Sequence, residues 1–151
     1  MAPLVAILLF LGLALGGHAD VKYEECCESS KGCPVKDLSL RIQSCNYDSC
    51  FLNRNSTIKI TFTLTSDQST DNAFLDAGIS SWADIIMPFP HLEYNLCHRL
   101  LMCPLSENVT YAWTMDLPEP DFVNPGKRIL RLKAVGNKRV MFCAKVNVTL
   151  Y

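Results

Sequence analysis

Eight cysteines carry most of the reactive chemistry in this sequence, and their spacing narrows what that chemistry is. They stand at Cys26, Cys27, Cys33, Cys45, Cys50, Cys97, Cys103 and Cys143. No two have the Cys-x-x-Cys spacing of a zinc ribbon or a thioredoxin-type site. An even set in an oxidising compartment reads instead as a disulfide framework. Eight cysteines allow 105 pairings. Proximity selects Cys45–Cys50 and Cys97–Cys103, because short loops close at little entropic cost. Cys143 then draws its partner from Cys26, Cys27 and Cys33.

The other reactive side chains form no catalytic set. Beyond the first 19 residues the histidines are His91 and His98, both around Cys97. Neither belongs to a His-Glu-x-x-His arrangement, no Gly-x-Ser-x-Gly elbow occurs, and there is no glycine-rich phosphate loop. Asp84, Glu93 and Asp116 read as isolated surface carboxylates. No enzyme activity, no metal site and no cofactor are expected. A net charge of −1 with mixed signs offers no basic stripe for nucleic acid. Lys127-Arg128, with Arg131 and Lys133 beyond, reads first as the solvated face of a strand. Its functional alternative is a patch that docks on anionic lipid or a receptor.

The compartment follows from the first residues. Met1 to Ala19 has no charged side chain, Leu4 to Leu15 is almost wholly apolar, and Gly17-His18-Ala19 places small residues before a cleavage point. This is the pattern of a signal peptide over residues 1–19, too short to span a bilayer comfortably. A secreted domain over 20–151 is expected, and lysosomal delivery would begin with the same leader. Three sequons, at Asn55, Asn108 and Asn147, predict exposed glycosylation sites.

The elements that must position these residues alternate with period two. Ile58, Ile60, Phe62 and Leu64 fall on one face, with Lys59, Thr61 and Thr63 on the other, the mark of a strand buried on one side. Val109, Tyr111, Trp113, Met115 and Leu117 form a second inward set, and Leu130, Leu132 and Ala134 a third. Val140, Phe142, Ala144, Val146, Val148 and Leu150 form a fourth. Cys143 has the outward parity, so its bridge ties the sheet surface to the N-terminal segment. Gly136-Asn137 reads as a hairpin turn, and weaker strands are expected over 36–43 and 73–87. Six or seven strands with no convincing amphipathic helix predict an all-β chain folded as one antiparallel sandwich.

The ordered set Met87-Pro-Phe-Pro90, Cys97 to Cys103-Pro104-Leu105, Tyr111-Ala-Trp113 and Leu117-Pro118 resembles the ML lipid-recognition domain. The likeness is to Niemann-Pick type C2 sterol carriers and mite group 2 allergens. Val140-Met-Phe-Cys143-Ala-Lys-Val-Asn-Val and Cys45-x4-Cys50 fit the same family. The resemblance implies an immunoglobulin-like two-sheet sandwich with an internal apolar cavity. It also implies a monomer that binds and transfers lipid, sterol above all. The alternative is an innate-immune accessory protein that presents microbial lipid to a receptor. It places Phe89 and Trp113 in the pocket wall and Phe122 at the mouth, with Ile58, Ile60, Phe62, Met87, Leu117 and Leu132 completing the lining. Membrane or receptor contact is implied at the mouth, where Glu119 departs from the family's apolar residue. The bridge from Cys143 runs, by the resemblance, to Cys26 or Cys27, leaving Cys33 for the other.

Overall fold

A computed structural model describes residues 19–151 other than Lys138; all of the leader but Ala19 lies outside the described residues. Among the described residues nine strands and one short helix follow in order: β1 (Glu24–Glu25), β2 (Ser39–Ile42), β3 (Phe51–Leu52), β4 (Ile58–Thr65), β5 (Ala73–Ser80), β6 (Ile86–Pro88), α1 (Leu96–Arg99), β7 (Thr110–Leu117), β8 (Gly126–Gly136) and β9 (Val140–Leu150). They form two sheets, β2-β4-β7 and β1-β9-β8-β5-β6, with β3 also paired to β9. The alternation read in the sequence is what builds them. Ile58, Ile60, Phe62 and Leu64 are each 2% exposed or less, while Lys59 on the other face is exposed. Each such side chain contributes about 1.5–3 kcal/mol by leaving water, and the inner faces of the two sheets share one core.

Register fixes which side chains meet. In the small sheet Ile58 pairs with Leu117, Ile60 with Met115 and Phe62 with Trp113. In the large sheet Leu132 lies between Ala77 of β5 and Ala144 of β9. One end of the sandwich, here the upper end, carries the loops 53–57, 81–85 and 118–125. Arg54 reaches across it to donate to the Asp121 carbonyl. The lower end carries 66–72, 106–109 and 136–139.

The two sheets are antiparallel as expected, and only the two-residue β3 joins β9 in parallel, at Phe51↔Thr149. Several expectations need correction. Only Ser39–Ile42 of the 36–43 stretch is strand. The stretch 73–87 is a hairpin, not one strand: β5 turns through 81–85, with the Ser81 amide donating to the Ile85 carbonyl, and returns as β6. Gly78 permits the close return, since a Cβ there would meet the Met87 carbonyl oxygen at 2.9 Å. Val109 is 42% exposed, because it still belongs to the turn at Asn108 (φ 64°) that precedes β7. Val140 is half-buried rather than inward: a register shift pairs Val135 with Val140 directly after Ala134 with Phe142. Met141 takes the buried place.

Candidate functional site

The interior between the sheets is the candidate site, and the expected lining residues fall into a deep group and a rim. Ile58, Ile60, Phe62, Phe89, Leu117 and Leu132 are at most 2% exposed and Trp113 is 6% exposed. Phe62 and Trp113, cross-strand neighbours, stack with centroids 4.8 Å apart and planes 7° apart. Phe62 also reaches Phe142 of the facing sheet at 5.9 Å. At that level the two sheets touch through aromatic rings. Around Leu132 the large sheet instead presents Ala77, Ala134 and Ala144, all buried. The small sheet thus gives the interior two stacked rings, and the large sheet gives it a floor of small side chains. The alternating pattern held Ala134 and Ala144, but it gave no reason to single out Ala77 as part of that floor.

The rim forms at the upper end. Phe89 packs edge-on against Phe122, centroids 5.7 Å and planes 89° apart. Met87 and Phe122 are half-buried, and both line a cleft of about 180 Å³ with Ser81, Trp82, Val123 and Arg128. The 81–85 turn above it presents Trp82 at 82% and Ile85 at 64% exposure. Neither belongs to an alternating strand face, and the mark they leave in the sequence is a Trp and an Ile within a polar turn. Glu119 is exposed at this rim, so its charge stays in water rather than facing the interior.

The cations suspected of forming one patch are divided. Arg128 folds back to donate to the carbonyls of Lys127 and Pro125. Arg131 pairs with Asp76 at 3.0 Å. Lys127 is exposed at the upper end, and Lys133 lies opposite Cys143 on the large sheet.

Among the described residues the buried polar side chains are Ser66, Gln68, Thr70 and Ser80, none of them titratable. His98 Nδ1 lies 3.4 Å from Glu93 Oε2, both exposed. The Glu93 carboxyl is held below its usual range chiefly by the backbone N–H of Asn95, then by His98. Among the described residues no three His, Cys, Asp or Glu side chains gather in a way that could hold a metal. All eight cysteines are bridged: Cys26–Cys143, Cys27–Cys33, Cys45–Cys50 and Cys97–Cys103. The pairing that proximity left open is thus decided. Asn55, Asn108 and Asn147 are all exposed. One polar atom stands out in the apolar surroundings: the indole N–H of Trp113 is buried and meets no acceptor among the described residues.

Comparison with known proteins matches residues 20–150 to the family model described as ML domain. The mite group 2 allergen Tyr p 2 of Tyrophagus putrescentiae is 22% identical over 142 residues, covering 93% of this chain and 94% of its own. Pso o 2 of Psoroptes ovis is also 22% identical, over 141 residues and 93% of each chain. Among solved structures, a Niemann-Pick type C2 protein from the Japanese carpenter ant superposes with a TM-score of 0.70. It is 18% identical, over 86% of this chain and 99% of that one. Chicken MD-1 complexed with lipid IVa gives a TM-score of 0.51 at 14% identity, over 87% and 99%. Both structural likenesses are likenesses of fold.

Proposed function

The chain belongs to the ML domain family, and on that premise we propose that it binds a lipid between its two sheets and carries it, with sterol the favoured ligand. The observation that carries the reading is an interior uncharged among the described residues, to which the small sheet gives the stacked rings of Phe62 and Trp113 and the large sheet an alanine floor, with Phe89 packed against the half-buried Phe122 at its edge. An apolar ligand gains about 25 cal/mol for each Å² it removes from water, so such a site needs no charged partner. Where Phe62 meets Phe142, a ligand enters by parting rings that already touch. A lipid oxygen reaching Trp113 would satisfy an N–H that otherwise carries a desolvation cost of roughly 1–3 kcal/mol. No bond is made or broken in this role.

Delivery uses the upper end. Trp82 and Ile85 project from it, and an aromatic beside an aliphatic side chain suits the boundary between water and bilayer. The protein works as a secreted monomer in this reading, and lysosomal delivery is compatible with the same route. A second reading, an innate-immune accessory protein that presents microbial lipid to a receptor, is favoured by one observation. A protein of the same fold, chicken MD-1, is known in complex with lipid IVa. Trp82 and Ile85 would then touch the receptor.

Native mass spectrometry with lipid extraction, followed by transfer of fluorescent sterol between liposomes, tests the proposal. The expected result is one exchangeable lipid per chain and transfer without a receptor. Phe89→Arg should weaken binding at least about tenfold by putting a charge into apolar surroundings. Binding of lipid without unaided transfer would favour the presenting role. Absence of any exchangeable lipid, with Phe89→Arg changing nothing, overturns both.

A further inference from the structure

The outer face of the large sheet carries a groove of about 480 Å³, lined by none of the residues assigned to the lipid site. Its floor includes Asn147 and Lys145 of β9 and Ile129 of β8; its walls include Tyr47 on one side and Lys22 and Glu24 on the other. The walls are fixed in place. The Lys22 amide donates to the Tyr47 carbonyl at 3.0 Å, Cys45–Cys50 closes the loop carrying Tyr47, and β1 is hydrogen-bonded to β9. The volume falls in the range of about 300–1,000 Å³ usual for pockets that hold small ligands.

Asn147 begins the sequon Asn147-Val148-Thr149 and is exposed on this floor. Its register partner is Ile129, an apolar residue that stands between Lys127 and Arg131 on the outward face of β8. Directly opposed residues lie about 4.5–5.5 Å apart at Cβ, so a sugar linked to Asn147 would be within reach of Ile129. Tyr47, 56% exposed, offers a ring against which the apolar face of a sugar can stack. Lys22, Glu24 and Lys145 supply donors and acceptors for hydroxyl and acetamido groups.

We propose that Asn147 carries an N-linked glycan whose two inner N-acetylglucosamine units lie in this groove, covering Ile129 and packing on Tyr47. In the attachment step the Asn147 side-chain nitrogen bonds to the anomeric carbon of a lipid-pyrophosphate-linked oligosaccharide. The nitrogen gives up one proton and the lipid pyrophosphate leaves with the bonding electron pair. The seated sugars join three segments that are distant in sequence: the N-terminal strand, the first short disulfide loop and the two long strands. Asn55 and Asn108 stand on turns outside this groove, and the seat is particular to Asn147.

The test uses the full chain expressed in insect cells, with glycopeptide mass spectrometry at Asn147. An endoglycosidase that cuts between the inner sugars is then applied to the native protein. Expected are an occupied Asn147 and cleavage about tenfold slower than after denaturation, as for a linkage reached through local opening. Tyr47→Ala should remove most of that protection. Asn147→Gln should speed amide hydrogen exchange over residues 21–24 and 46–49. An unmodified Asn147 overturns the proposal, as does native cleavage at the denatured rate with no effect of Tyr47→Ala. Neither result bears on lipid binding.

Discussion

The two ends of the sandwich are built on different principles. The lower end is pinned. Cys26–Cys143, Cys27–Cys33 and Cys97–Cys103 lie towards it, and the buried Thr70 binds Leu105 through both backbone groups. The Thr70 hydroxyl also accepts from the Asn137 amide at 2.7 Å, and Asp67 pairs with Arg139 at 2.8 Å. The upper end has Cys45–Cys50 beside it, a single Arg54 side chain crossing to Asp121, and an apolar turn standing in solvent. Covalent and polar ties gather where the sheets must stay shut. Apolar side chains without such ties gather at the end proposed for ligand delivery. Local stability follows the density of such ties, so one fold has a fixed base and an adaptable rim.

The largest difference between the two ends is expected from their bridges. Replacing Cys26 and Cys143 together by Ser releases a closure of 117 residues, and the chain-entropy account gives a loss of about 5 kcal/mol. The same change at Cys45 and Cys50 opens a separation of 5 and costs about 2 kcal/mol. Urea unfolding of both variants measures the difference; equal losses would mean the ends are not unequal in this way. Next, Trp82→Ser with Ile85→Ser should leave the unfolding free energy within about 0.5 kcal/mol, since both side chains are solvated. Lipid delivery to vesicles should fall severalfold. A large stability loss with unchanged delivery would show these residues to be structural.

The smallest effect sharpens the picture at the lower end of the small sheet. There Asp37 accepts from the Thr65 hydroxyl and amide, and these bonds, the hydroxyl first, hold its carboxyl below the ordinary 3.8. The folded value is depressed, so the stabilisation is complete above the unfolded value. It is lost as pH falls below about 3.8 through the folded value. Thermal unfolding of Asp37→Asn should show a slightly lower midpoint near neutrality and a shallower fall below pH 4. A parallel fall in both proteins would show that Asp37 contributes nothing.

How much was legible depends on the residue. The inward set Ile58, Ile60, Phe62 and Leu64 could be read because a strand buried on one side repeats every second residue, and β4 is regular throughout. The hairpin at 73–88 was obscured, since Gly78, Ile79 and Ser80 are buried in succession and the period disappears there. Val140 misled because a bulge shifts parity without any mark in the local sequence. The choice between Cys26 and Cys27 was undecidable locally. Pairing of Glu25 with Ala144 carries the chain on so that Cys26 donates its amide to Cys143, and the next residue turns to Cys33.

By itself the sequence determined what depends on neighbours along the chain. That covers the alternating strands, the two short disulfide loops and the three sequons, because period and loop closure are local properties. What depends on register between distant strands came from the tertiary fold: the Cys26–Cys143 bridge, the stack of Phe62 on Trp113, and the gathering of Ala77, Ala134 and Ala144 around Leu132. That fold also set Asn147 beside Ile129 in the outer groove. Those placements arise when separate strands slide into one pairing, and a shift of one residue would turn every side chain to the other face.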